Sequence, residues 1–269
     1  MAFKIALNAG HGKNTAGKRC LKKLDKNETR EWILNSRICE KIEIKLKDYK
    51  GYSLVRLDDP TGEKDVALKK RTNKANDFKA DFYLSIHHNA GINGGIGGGI
   101  VTYIYTKGSK ASEEWQEALY KALIEHTGLK GNRADGTRKA NLHECRESNM
   151  PCVLVECGFM DSKTDVPIIL TSKFADQVAD ACVEVIAKKG GLVKKEEFES
   201  VKPVVSIYFK KYTGNSGSIA DALKSIGAAY SFSYRKKIAK KNGITLYVGT
   251  SSQNTKMLNL LKKGKLIKP

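Results

Sequence analysis

Phe82-Tyr83-Leu84-Ser85-Ile86-His87 is a largely apolar run that ends on a titratable residue and opens into a glycine-rich segment, Gly91 to Gly99. A short apolar run bounded by such a turn signal reads as a buried strand. Working outward, Val66 to Phe78 reads as a helix that leads into Lys79-Ala80-Asp81. On the other side, Ile100 to Tyr105 reads as a strand and Glu113 to His126 as a helix. The same alternation starts earlier. Phe3 to Asn8 is a short buried strand closed by Ala9-Gly10-His11-Gly12, and Glu31 to Leu46 is a helix with Leu34, Ile38 and Ile42 on one face. Tyr52 to Leu57 and Cys152 to Glu156 read as strands, and Phe174 to Ala187 as an amphipathic helix. Strands separated by helices of this length predict an α/β fold, an open, twisted, mostly parallel sheet flanked by helices. Ligands of such sheets gather at the carboxyl ends of the strands. Three strands close there on a titratable residue: His11, His87 and Glu156.

The chain has 269 residues, enough for one large and one small domain. Residues 1–188 read as the catalytic domain, 189–202 as a solvated linker (Lys188-Lys189-Gly190-Gly191, then Lys194-Lys195-Glu196-Glu197), and 203–269 as a small basic domain. The small domain reads as a second α/β module. Its strands are expected at Val204 to Tyr208 and Ile244 to Val248, and its helices at Ile219 to Ile226, Tyr234 to Lys241 and Thr255 to Leu261. Formal net charge is +19, and residues 200–269 hold 14 Lys and Arg against one acid, Asp221. Such a concentrated cation suits a polyanion: a nucleic acid, an anionic membrane surface or an acidic wall polymer. The six cysteines show no C-x-x-C pairing and read as buried, reduced thiols. Met1 to Asn8 carries too short an apolar run for a signal peptide, and no stretch is long enough to span a bilayer. The expectation is a protein made in a reducing cytoplasm without membrane insertion.

Two histidines and two glutamates at strand ends and a helix start are what a hydrolytic zinc site needs. Catalytic zinc takes three protein ligands and leaves a fourth position to water, and a separate carboxylate moves the proton. The candidates are His11, Glu31 and His87 for the metal, with Glu156 as general base. Structural readings exist for each: a turn histidine, a first-turn acid favoured by the helix dipole, a core histidine. Glu156 is the least comfortable of them, because an unpaired carboxylate in an apolar strand is expensive. Glu28 competes with Glu31, but Glu31 shares the inward face of its helix with Leu34, Ile38 and Ile42. His88 lies beside His87 and points to the other side of the strand.

At these residues the sequence resembles a known family. Asn8-Ala9-Gly10-His11-Gly12, Arg30-Glu31-Trp32-Ile33-Leu34-Asn35, Ser85-Ile86-His87-His88-Asn89-Ala90 and Pro151-Cys152-Val153-Leu154-Val155-Glu156-Cys157-Gly158-Phe159 are similar to motifs of the zinc N-acetylmuramoyl-L-alanine amidases of the amidase-3 type. The resemblance covers residues 1 to about 188. It implies that His11, Glu31 and His87 bind Zn2+ and that Glu156 is the catalytic acid/base. It also implies hydrolysis of the amide between N-acetylmuramic acid and L-alanine in peptidoglycan. A zinc peptidase cutting within the stem peptide would use the same metal chemistry. Leu68 to Asn76 is similar to a further stretch of the family and reads as structural, with Arg71 near the site.

Residues 203–269 resemble the C-terminal domain of amidases from Gram-positive bacteria and their phages, which implies an anionic cell-wall polymer as partner. The rival is single-stranded nucleic acid, since aromatics alternate with lysines in Ile207 to Tyr212 and Tyr230 to Lys237. Nucleic acid is not the expected partner, because the front domain reads as a wall enzyme. The combined expectation is a phage-type endolysin, released to the wall through holin lesions.

Overall fold

The computed structural model describes residues 2–132, 136–195 and 207–269. The chain divides into two compact units, Met1–Lys195 and Glu196–Pro269. The first is built on a six-stranded sheet of β1 (Phe3–Ala9), β3 (Tyr52–Arg56), β4 (Phe82–Asn89), β5 (Ile100–Tyr105), β6 (Thr137–Ala140) and β7 (Cys152–Phe159). Its strand order is β3-β1-β4-β7-β5-β6. All neighbours run parallel except β5 and β7. A two-residue ladder pairs β2 (Tyr49–Lys50) with β8 (Val193–Lys194). The mixed α/β sheet, mostly parallel and flanked by helices, is the one the alternation of periods predicts.

The central strands are apolar on both faces because helices cover both, as expected of a parallel sheet. One face of β1, β4 and β7 presents Ile5, Leu7, Phe82, Leu84, Ile86, Val153 and Val155 to the main core. There they meet α1 (Glu31–Leu46), α3 (Lys110–Thr127) and α6 (Ser172–Gly190). The opposite face carries a smaller core around Ala6, Tyr83, Cys152 and Leu154, under α2 (Leu68–Phe78) and α4 (His143–Glu147). Cys152 and Cys157 fall into different cores, and all six cysteines are buried and free. A short helix α5 (Val166–Ile169) completes this unit.

Helix α1 starts where the sequence places it, and Glu31, Leu34, Ile38 and Ile42 are all buried along one side. Helix α6 is longer than expected. It continues to Gly190, and Val193–Lys194 then pairs with Tyr49–Lys50, so the stretch read as the start of a linker belongs to the first unit.

The second unit contains α7 (Ile219–Ser225), α8 (Phe232–Lys241) and α9 (Ser251–Lys262) around its own core of Phe209, Ile219, Leu223, Ile238, Met257 and Leu261. Each helix begins on a hydroxyl cap, Ser218, Ser231 and Thr250. The strand expected at Ile244 to Val248 does not form. Leu246 there has φ 50°, a left-handed backbone that a ladder does not accept, and the residue is 90% exposed. Of the other expected strand, residues 204–206 lie outside the described residues, and Tyr208 makes a single bridge to Ile267. Among the described residues this unit is therefore helical rather than α/β. No helix among them is long and apolar enough to cross a membrane.

Candidate metal centre at the carboxyl edge of the sheet

Four elements deliver the candidate residues to one edge. β1 ends at Ala9, and the chain turns sharply through His11, whose φ of 66° is unusual for a non-glycine residue. Arg71 of α2 fixes that turn from beneath. Its guanidinium is almost wholly buried and donates to Ala9 O at 2.7 Å, His11 O at 3.0 Å and the Asn8 side chain. Asp65 accepts from it at 3.1 Å. Five donors in a planar fork let one arginine hold a whole turn. Arg71 is thus structural and adjacent to the site.

Glu31 is the first residue of α1, where the helix dipole favours a carboxylate. Its Oε1 lies 3.1 Å from His87 Nδ1 and 3.4 Å from His11 Nε2, and accepts the His88 backbone N–H at 3.2 Å. One ligand atom from each of His11, Glu31 and His87 falls within 4.8 Å of the others. Glu28 is elsewhere: it pairs with Arg19 at 3.0 Å. His88 faces the other way, its Nδ1 2.7 Å from Asn35 Oδ1. The period-two argument for separating His87 from His88 describes where their side chains go.

Glu156 aligns with His87 in the β4–β7 register, so the two side chains leave neighbouring strands on the same face. The residue keeps some exposed surface, but its Oε2 is buried and has no hydrogen-bond partner. Burial pushes its carboxyl up to about 7. Glu31 behaves oppositely. Burial alone would raise it, but His87, His11 and Lys18 outweigh that and hold it down at about 2. Burial likewise lowers His11, to about 4, despite the pull of Glu31. For His87, burial is overcome by the neighbouring Glu144 and Glu31 carboxylates, which raise the ring to about 10. Two nearby carboxylates thus differ: one ionised and facing the histidines, one poised near neutrality.

The donor set fits a zinc ion. Two imidazoles and a carboxylate are the nitrogen and oxygen ligands of a catalytic site, and Glu31 Oε2 is a buried oxygen without a hydrogen bond. A cleft of about 350 Å³ opens beside it, lined by Asn8, His11, Val66, Arg71, His87 and Glu144.

The residue that sequence reasoning missed is Glu144, in the short α4. It is buried, and its Oε2 lies 3.5 Å from His87 Nε2. No periodic pattern marks the five-residue helix that carries it. The one available signal was an acidic residue shortly before an apolar strand.

Fold and site together describe an α/β protein built on a mostly parallel sheet, with a candidate metal centre where ligands of such sheets collect. The chain matches the N-acetylmuramoyl-L-alanine amidase family model over residues 5–188 and belongs to that family. It is 30% identical over 224 residues to the sporulation-specific N-acetylmuramoyl-L-alanine amidase of Bacillus subtilis (strain 168), covering 83% of this chain and 82% of that protein. It is 30% identical over 206 residues to the endolysin of Bacillus phage SPP1, covering 73% of this chain and 72% of the endolysin. Among solved structures it is similar to the N-acetylmuramoyl-L-alanine amidase from Clostridium difficile 630. That match has a TM-score of 0.62 and 29% identity, and covers 70% of this chain and 96% of the other.

Proposed function

We propose that the first unit hydrolyses the amide joining N-acetylmuramic acid to L-alanine in peptidoglycan, with Zn2+ held by His11, Glu31 and His87 and with Glu156 as general base. The observation that carries this reading is the convergence of those three ligand atoms within 4.8 Å, beside a carboxylate of different acidity, in a chain of the amidase family. A zinc ion held by these residues would supply a water of lowered pKa and would polarise the carbonyl under attack. Glu156 supplies the proton transfer. Its Oε2, free of other partners, takes the water's proton and returns it to the departing L-alanine nitrogen. A carboxyl near neutrality can do both, because neither direction is strongly uphill.

The test is digestion of purified Gram-positive walls with and without a zinc chelator, with the new ends identified by mass spectrometry. Free L-alanine N-termini on intact stem peptides, lost with chelator, are the expected result. New ends inside the stem peptide would make the enzyme a zinc peptidase instead.

For the second unit the proposed role is retention on an anionic wall polymer. Its support is the excess of 14 basic residues over one acid in residues 200–269. A groove of about 450 Å³ bounded by Lys236, Lys240, Leu246 and Val248 offers both charge and apolar surface. Full-length protein is expected to sediment with intact walls and to release with salt. It should fail to sediment with walls stripped of anionic polymer. Equal sedimentation with stripped walls, or salt-sensitive binding to oligonucleotides alone, would count against this role. The similarity to a phage endolysin supports a lysin role, and release to the wall through holin lesions is proposed with it.

A further inference from the structure

We infer that Glu144 is a positioning residue for the metal centre: it accepts the Nε2–H of His87 and so leaves Nδ1 as the atom that faces Glu31. The inference rests on the proposed metal reading and adds to it which ring nitrogen serves and what holds the ring.

The geometry around Glu144 is a cradle with one direction left over. Its Oε1 accepts from Asn8 Nδ2 at 2.8 Å and from Tyr83 OH at 2.7 Å. Its Oε2 accepts from Ser85 Oγ at 3.1 Å. The remaining neighbour of Oε2 is His87 Nε2 at 3.5 Å, an ion-pair distance rather than a tight hydrogen bond. His87 Nε2 is buried and has no closer partner among the described residues. Tyr83, Ser85 and His87 share one face of β4, and Asn8 stands opposite Ser85 in the β1–β4 register. Two strands therefore build the cradle and α4 inserts the carboxylate into it. Arg71 in turn donates to Asn8 Oδ1, which fixes that amide with its nitrogen toward Glu144.

An anion buried this deeply is costly unless paired and hydrogen-bonded. A purely structural α4 would not need one here. Metal-binding histidines commonly donate their second N–H to a carboxylate, which sets the tautomer and makes the ligating nitrogen more basic. Glu144 meets that description. Its three protein donors hold it still, and the remaining neighbour of Oε2 is the nitrogen on the far side of the ring from Glu31.

Glu144→Gln separates this role from mere packing. The Asn8 amide donates toward this oxygen and the Tyr83 hydroxyl does the same, so the glutamine oxygen stays with them. The glutamine NH2 then faces Ser85 and His87 Nε2. An NH2 asks for a lone pair on Nε2, which moves the ring proton to Nδ1, the atom facing Glu31. Zinc affinity of the variant is expected to fall 10- to 100-fold, the range for loss of such a partner. Tyr83→Phe removes a donor from Oε1 but leaves Oε2 toward His87, so its zinc affinity should stay within about threefold of wild type.

The measurements are zinc titration against a competing chelator and 15N spectra of the histidine rings in the zinc-loaded wild type. Nε2–H on His87 with Nδ1 unprotonated is the expected tautomer. Wild type that binds zinc while His87 carries its proton on Nδ1 would overturn the inference. So would Glu144→Gln with wild-type zinc affinity, or Tyr83→Phe losing as much affinity as Glu144→Gln. Wild type that binds no zinc would instead overturn the metal reading itself, and this inference with it. The wild-type spectra decide the matter even if Glu144→Gln does not fold.

Discussion

Glu156→Gln is expected to cut turnover by roughly 10²–10⁴-fold while zinc stays bound at one ion per chain, the span that general acid–base catalysis contributes. The substitution is nearly isosteric and removes only the capacity to take and return a proton. None of the three ligand atoms comes from this side chain. Zinc content measured by atomic absorption, beside kcat on purified walls, therefore separates loss of chemistry from loss of metal. Retained turnover would remove Glu156 from the mechanism; loss of zinc would make it a ligand or a support of one.

The same substitution has a consequence for stability, and its sign follows from the raised carboxyl. Burial lifts Glu156 from an ordinary 4.5 to about 7 in the metal-free chain. Below pH 4.5 it is protonated whether the chain is folded or unfolded, so it contributes nothing. Between 4.5 and 7 the folded chain holds a proton that the unfolded chain has lost, and stability falls as pH rises. Above 7 the full cost of the buried anion is present. Metal-free Glu156→Gln should therefore unfold at higher denaturant than wild type at pH 8, by up to about 3 kcal/mol. At pH 4 the two should coincide. Bound cation stabilises the carboxylate, so the acid limb of kcat/KM in the zinc enzyme should fall at or below pH 7.

The sequence reading places His11, Glu31, His87 and Glu156 where predicted elements stop, and these four side chains gather at one edge of the sheet, although β4 runs on to Asn89 and β7 to Phe159. A buried strand or an amphipathic helix leaves a clear pattern, and the edge of the sheet is where those patterns end. Glu31 was separable from Glu28 only because α1 buries Leu34, Ile38 and Ile42 on the same side. Glu144 had no such support. Its helix is five residues long, and its partners Asn8 and Tyr83 are 136 and 61 residues away, so nothing local marks it. Ile244 to Val248 failed for a different reason. Its apolar residues suit a strand, but Leu246 takes a left-handed turn and Val248 is largely exposed. Ile244 and Tyr247 are instead buried in the small core of the second unit. The stretch after Lys188 looks like linker by composition, yet Gly190 still lies within α6 and Val193 still finds a strand partner.

Gly10→Ala is expected to disable the centre from a residue that binds nothing. A Cβ at Gly10 would stand 2.1 Å from His87 Cε1 and 2.3 Å from its Nδ1, far inside contact distance. The backbone cannot retreat easily. Gly10 N–H is bonded to Ile86 O at 2.9 Å, and Gly10 O accepts from Asn35 Nδ2 at 3.1 Å. The ring cannot retreat cheaply either, since Nδ1 faces Glu31 and Nε2 faces Glu144. Something must shift, and the imidazole is the softer part. A misplacement of about 1 Å in such a site costs on the order of 10²-fold in rate. Overpacking adds about 1–3 kcal/mol of lost stability. Gly17→Ala is the matched control. Gly17 has φ 74° and open space around its missing Cβ, so alanine there carries backbone strain with no neighbour to displace. It should lose about 1 kcal/mol and keep both zinc and activity. If Gly10→Ala retained full zinc affinity and wild-type kcat, His87 would be free to rotate, and neither its contact with Glu31 nor its contact with Glu144 could be what fixes the site.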